Sequence, residues 1–313
     1  MHIKSVSCDA DLGWLRHILT LNHTYSLIAH WTHKVKLKIA HDVLKIIAES
    51  YCVQTDTSSV PNIPAEEIEV ETTPFARGRY GKVYKGKWKK TNVAIKVIEA
   101  ISEKDKKAIV QEASITLCLK NQHVIEQFGI TFLKNDKLGI VMEWAEHGSL
   151  DMWIGKIDRG KLTNIALGIV SGLIYVHSQN VIHRDIKPQN ILMFGPKDDM
   201  IPKIADFGVS RIIEQTMTYT AGVGTVIYMA PELKFSRYSF LADVFSLATL
   251  LFEVFNEQLI KDASTDVTRC IASGRIPENC IVPTSVRNVI ERGWAQTPQA
   301  RPPLDKFYST LQG

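Results

Sequence analysis

Apolar positions follow two different periods along this chain. Between Asp11 and Tyr51, Val35, Ile39, Val43 and Ile47 recur at four-residue spacing, which predicts an amphipathic helix with one buried stripe. Gln54 to Pro64 (QTDTSSVPNIP) is polar, turn-rich and holds two prolines, so it predicts a loop or linker. Beyond it, Ile68 to Ala76 and Lys82 to Trp88 flank a glycine pair, and Asn92 to Ile98 is β-branched; together they predict three antiparallel strands. Ile140 to Glu143 predicts one more strand, after which the pattern turns mostly helical. Ile165 to Val176, apolar but holding Gly168 and Gly172, reads as a buried helix. Strands first and helices later is the order of an α+β protein with segregated lobes.

Composition narrows the setting. The 37 basic and 33 acidic residues give a net charge of +4 and are spread without a block of one sign, a balance that does not indicate a nucleic-acid binder. The five cysteines are widely spaced with no C-x-x-C pair, which fits a reduced intracellular compartment. The longest apolar stretch falls short of the about 20 residues that a membrane span needs. Cys8-Asp9-Ala10-Asp11 interrupts any leader-like run, so a cytoplasmic location is expected. His30 and His33 could share a helix face, but no cysteine or acid completes a metal set with them.

Candidate chemistry begins at Phe75-Ala76-Arg77-Gly78-Arg79-Tyr80-Gly81-Lys82-Val83, a near match to G-x-G-x-x-G-x-V with alanine at the first glycine. Glycines there let backbone N–H groups approach a phosphate. The segment runs into a strand rather than a helix and lacks G-K-[ST], which argues against a dinucleotide-binding βαβ unit and a P-loop. Val93-Ala94-Ile95-Lys96 ends an apolar strand in a lysine, which needs an acidic partner if buried; Glu112, on a following helix, is the expected one. His183-Arg184-Asp185-Ile186-Lys187-Pro188-Gln189-Asn190 matches H-R-D-x-x-x-x-N without departure, and Asp206-Phe207-Gly208 and Ala230-Pro231-Glu232 follow.

This ordered set resembles the eukaryotic protein kinases, serine/threonine type. Trp294, ahead of Ala295-Gln296-Thr297-Pro298, is similar to the ending of the tyrosine-kinase-like branch. The resemblance implies a two-lobed kinase fold over residues 67–312, with a small lobe and hinge over 67–145 and a larger helical lobe over 146–312. A helical segment over 1–53 and a linker over 54–66 precede it. It implies ATP with Mg²⁺ or Mn²⁺ as cofactors and protein substrates with serine or threonine acceptors, with no nucleic-acid partner and no transmembrane segment. Lys96, held by Glu112, is expected to grip the α- and β-phosphates under Ala76, Gly78 and Gly81. Val83, Ala94, Met142, Glu143 and Ala145 are expected to hold adenine, Asn190 and Asp206 the metal. Asp185 is expected to take the hydroxyl proton and Lys187 to neutralise the transferring phosphoryl group. The same resemblance gives Asp243 as a brace for the catalytic loop and Arg301 as the partner of Glu232.

Lys187 favours serine/threonine over tyrosine acceptors, because tyrosine kinases carry alanine or arginine in that stretch. Gly224-Thr225 supports the same choice, because tyrosine kinases usually have proline-rich residues there to seat a larger ring. A pseudokinase scaffold that binds ATP and partner proteins is the rival class, and intact Lys96, Asp185, Asn190 and Asp206 argue against it. Regulation is expected through Arg184, which a phosphate on Thr220 or Thr218 of the activation segment would engage.

Overall fold

The structure is a computed structural model and describes residues 60–313 except 79–80, 100–105, 107–108, 111–112, 115, 135–136, 208–225, 236–238, 259, 261–264 and 279. The amphipathic helix expected between Asp11 and Tyr51 lies outside the described residues.

The small lobe is an antiparallel sheet of β1 (Ile68–Val70), β2 (Ala76–Gly78), β3 (Gly81–Trp88), β4 (Thr91–Glu99), β5 (Gln127–Leu133) and β6 (Lys137–Glu143). Their order is β1-β3-β4-β6-β5, with β2 pairing the far end of β3. The single strand expected from Ile68 to Ala76 is therefore two, broken around Pro74, which has no N–H for the ladder. Glu71 and Phe75 keep the register by donating to the carbonyls of Lys85 and Val83 at 2.9 and 2.8 Å. The β-branched run Asn92 to Ile98 reads as continuous because both faces of β4 are covered. Val93, Ile95 and Val97 join Ile63, Ile68 and Val141 in one apolar cluster. Ala94 and Ile98, on the opposite face, join the main core shared with the helical lobe.

Strand β5 also escapes the alternation pattern, since Gly129, Ile130 and Thr131 are buried one after another. Its outer edge is paired by the second half of the expected linker. Ile63 donates to the Ile130 carbonyl at 2.8 Å and Ile130 donates back to that of Pro61 at 2.9 Å. Val60 and Ile63 are buried. A Cβ on Gly129 would lie 2.3 Å from the Pro61 carbonyl oxygen, so only glycine admits this close approach. Covering the edge removes a row of unpaired backbone groups that would otherwise invite foreign strands.

The described residues between 106 and 117 are helical. The larger lobe holds α1 (Arg159–Ser178), the hairpin of β7 (Ile191–Phe194) and β8 (Ile201–Ile204), then α2 (Phe240–Asn256), α3 (Thr265–Ser273), α4 (Thr284–Gly293) and α5 (Leu304–Gln312). Asp158 caps α1 by accepting the Gly160 N–H at 2.8 Å. The two glycines inside α1 sit where other elements press on it: a Cβ at Gly172 would lie 2.7 Å from the His123 carbonyl oxygen, and one at Gly168 2.7 Å from the Pro202 ring. From Ala242 to Phe255, α2 is buried on every side and forms the axis of this lobe. Among the described residues, no helix is long and apolar enough to cross a membrane.

Candidate active site

The loop from His183 to Asn190 is suspended from the first turn of α2. Asp243, fully buried, accepts the backbone N–H of His183 on Oδ2 and that of Arg184 on Oδ1, both at 2.8 Å. His177, at the end of α1, reaches the same Oδ2 at 2.8 Å. These bonds hold Arg184 in the left-handed region at φ 73°, a conformation that costs a non-glycine residue about 1–2 kcal/mol. Asp206 is strained in the same way, with φ 63°. His183 ties the two segments together. Its Nε2 donates to the Ala205 carbonyl at 2.9 Å and its Nδ1 accepts the Asp185 N–H at 3.3 Å, a pattern that requires the neutral Nε2–H tautomer. Burial lowers the His183 pKa, against the opposing field of Asp243, which keeps the ring neutral.

Within this frame the charged groups converge. Asp185 Oδ2 accepts from Lys187 Nζ at 2.6 Å and from Asn190 Nδ2 at 2.8 Å, and the same amide donates to the Asp185 carbonyl at 2.7 Å. Lys96 projects from β4, on the face of Ala94 and Ile98, and its ammonium meets Asp206 Oδ1 at 2.7 Å. Desolvation by the surrounding protein pushes the partly exposed Asp206 carboxyl upward, but the Lys96 ammonium, with help from Lys187, brings it below its ordinary value, so it is an anion at neutral pH. The Asn190 amide nitrogen is committed to Asp185, so its Oδ1 is the atom it can offer a cation. An amide oxygen beside an ionised carboxylate is a hard donor set of the kind Mg²⁺ takes when water and phosphate oxygens complete its shell. Among the described residues, no three His, Cys, Asp or Glu side chains form a metal cage.

The expected adenine-binding residues lie on adjoining strands. Val83 pairs with Lys96 across β3 and β4, and Ala94 pairs with Met142 across β4 and β6. Ala94, Met142 and Ala145 are buried in the main core and Val83 packs against it. Glu143 turns its carboxylate to Lys203 of the larger lobe, which holds both oxygens at 2.8 and 2.7 Å, while the N–H of Glu126, ahead of β5, donates to it at 2.8 Å. Nothing in the sequence pattern marks this pair, because its members are separated by sixty residues. Ala76 and Gly78 form β2, and Gly81 pairs with Gly78. A Cβ on Gly81 would lie 2.3 Å from the Val97 carbonyl oxygen, and its φ of 155° is itself a glycine conformation. Lys96 thus has Asp206 as its described partner, whereas Glu112, the partner expected from sequence, lies outside the described residues. So do Thr218, Thr220 and Thr225.

Two further anchors lie in the larger lobe. Arg301 forms a two-pronged pair with Glu232, at 2.7 Å on each side, and also donates to the carbonyls of Leu241 and Ala295. Tyr228 donates to Glu253 Oε2 at 2.6 Å while the Ile260 N–H donates to Oε1 at 2.7 Å. Burial pushes the Glu253 carboxyl up to about 7 in spite of these bonds. The Glu253–Tyr228 contact carries no sequence signal, since a glutamate within an apolar helix reads as a polar interruption until its partner is seen.

Residues 72–309 match the protein kinase domain. The chain is 34% identical over 248 residues to the RGS domain-containing serine/threonine-protein kinase A of Dictyostelium discoideum, covering 76% of this chain and 22% of that protein. It is 32% identical over 252 residues to the serine/threonine-protein kinase STY46 of Arabidopsis thaliana, covering 76% and 43%. It is also 30% identical over 253 residues to the serine/threonine/tyrosine-protein kinase HT1 of the same plant, covering 76% and 64%. The chain thus spans less than two thirds of the length of each of these relatives.

Proposed function

The chain belongs to the protein kinase family, and on that premise we propose that it transfers the γ-phosphoryl group of ATP to serine and threonine hydroxyls of protein substrates. The observation that carries this reading is the meeting of two hydrogen-bonded groups, Asp185 with Lys187 and Asn190, and Lys96 with Asp206. In the reaction the acceptor oxygen forms a bond to the γ-phosphorus while the bond from that phosphorus to the β,γ-bridging oxygen breaks. Asp185 orients the hydroxyl and takes its proton, and ADP leaves with the bridging oxygen. Lys187, 2.6 Å from Asp185, neutralises charge on the transferring group. Lys96 holds the α- and β-phosphates, fixed in direction by its bond to Asp206. Asn190 and Asp206 would hold Mg²⁺, which when bound would supply further charge neutralisation on the phosphates. The strands carrying Val83, Ala94 and Met142 supply apolar walls for adenine and exclude water.

Transfer of ³²P from labelled ATP to a generic basic protein tests the proposal, with Asp206→Asn as the comparison. Incorporation should follow the unaltered chain and be absent from the variant, and phosphoamino-acid analysis should return phosphoserine and phosphothreonine. Incorporation equal to that of the variant would instead support an ATP-binding scaffold.

A further inference from the structure

Among the described residues, Phe75 is the most exposed large hydrophobic side chain, at 58%. It is nonetheless fixed at both ends. Its N–H donates to the Val83 carbonyl at 2.8 Å, and its ring meets that of Trp144 edge to face, with centroids 4.8 Å apart and planes at 76°. The same Trp144 ring receives the ammonium of Lys85 at 5.1 Å from its centroid. Lys85 lies on the face of β3 that also carries Val83. Trp144 follows β6 directly, between Glu143 and Ala145. Phe75 directly precedes Ala76, the first position of the phosphate loop. Two side chains from the roof of the proposed nucleotide cleft therefore reach one ring on the segment that joins the lobes.

We infer that Phe75 and Trp144 form a latch across the mouth of this cleft that sets the rate of nucleotide release, an inference that rests on the kinase reading. The argument is geometric. Adenine bound against Val83, Ala94 and Met142 leaves only when the β2–β3 roof lifts from the segment after β6, and that motion separates Phe75 from Trp144. Ala76 strengthens the coupling. Its Cβ denies the backbone the freedom a glycine would give, so the arm carrying Phe75 lifts as one piece instead of bending locally. Losing an edge-to-face aromatic pair favours the open state by about two- to tenfold. Both residues are positioning residues, acting on the passage of nucleotide and not on the reacting atoms.

Stopped-flow release of a fluorescent ADP analogue, chased by excess ATP, reads this directly. Phe75→Ala should release it about two- to tenfold faster while the dissociation constant changes less, because entry is eased as well. Phe75→Tyr should restore the slow rate. Trp144→Leu, which keeps apolar cover over the core, should match Phe75→Ala, and the double variant should be no faster than either single one. An unchanged rate in Phe75→Ala, or fully additive effects in the double variant, overturns the latch. A chain that binds ADP with these rates but transfers no phosphoryl group overturns the kinase reading and leaves the latch standing. A chain that binds no ADP overturns both.

Discussion

The ammonium of Lys96 on β4 lies 2.7 Å from Oδ1 of Asp206, a contact between residues 110 positions apart that joins the small lobe to the segment following β8. Lys96 is buried, whereas the Asp206 side chain is 41% exposed. The pair is thus a buried cation joined to a carboxylate that solvent can reach. Removing either member should affect nucleotide handling, while removing Asp185 should affect the chemical step alone.

Asp185→Ala should accordingly lower the rate of phosphoryl transfer by about 10²–10⁴ with little change in ADP affinity. Lys96→Met should lower both. Steady-state peptide phosphorylation at saturating ATP, paired with calorimetric ADP binding, separates the two. Normal transfer by Asp185→Ala would show that the assigned base is the wrong residue.

Asp243→Asn tests the suspension of the catalytic loop from α2. An amide has one oxygen for the N–H groups of His183 and Arg184 and for His177, and its NH₂ would confront a donor. Stability should drop by about 2–5 kcal/mol in urea unfolding, with phosphoryl transfer falling alongside. A stability within a few tenths of the original would mean that Arg184 holds its left-handed conformation by other means.

Glu253 makes stability depend on pH. Its folded-state value of about 7 lies above the ordinary 4.5, so between those values the folded protein holds a proton that the unfolded chain has released. The contribution is fully present below about pH 4.5 and is lost as pH rises through 7. The Tm of the unaltered chain should therefore decline relative to that of Glu253→Gln between pH 5 and 8. Parallel Tm curves over this range would remove Glu253 as the cause.

The turn between β3 and β4 can be improved. Trp88 pairs with Thr91, and the two residues between them, Lys89 and Lys90, both have positive φ, 47° and 68°. That conformation favours Asn-Gly and penalises other residues through their Cβ, which crowds the following carbonyl oxygen. Replacing Lys89 with Asn and Lys90 with Gly should raise stability by about 0.5–1 kcal/mol, even though the Lys89 ammonium leaves the Trp88 ring, which it covers at 4.6 Å. A lower Tm would show that the cation contact outweighs the strain.

Ile63 separates a packed segment from a passive linker. It is 4% exposed, within the cluster on the outer face of the small lobe. Ile63→Ala in the whole chain should cost about 2–5 kcal/mol, measured by chemical unfolding. A change below about 0.5 kcal/mol, typical of surface positions, would return residues 60–66 to the role of a tether.

The sequence by itself determined the order of strands before helices, the strand ending in Lys96, and the loop from His183 to Asn190. Each of these is written in local periodicity or in a short run of fixed residue types, and local spacing is what a chain displays without folding. It did not display β5, where Gly129, Ile130 and Thr131 are buried one after another and alternation is lost. Nor did it display the packing of Val60 and Ile63, because prolines in a polar run look the same in a tether and in a segment laid on a sheet edge. Tertiary structure alone decided that Asp243 holds two backbone N–H groups and His177, that Glu143 pairs with Lys203 across the lobes, and that Phe75 meets Trp144. Those contacts join residues far apart in the chain, and the energy of a buried charge or a stacked ring depends on which partner the fold delivers.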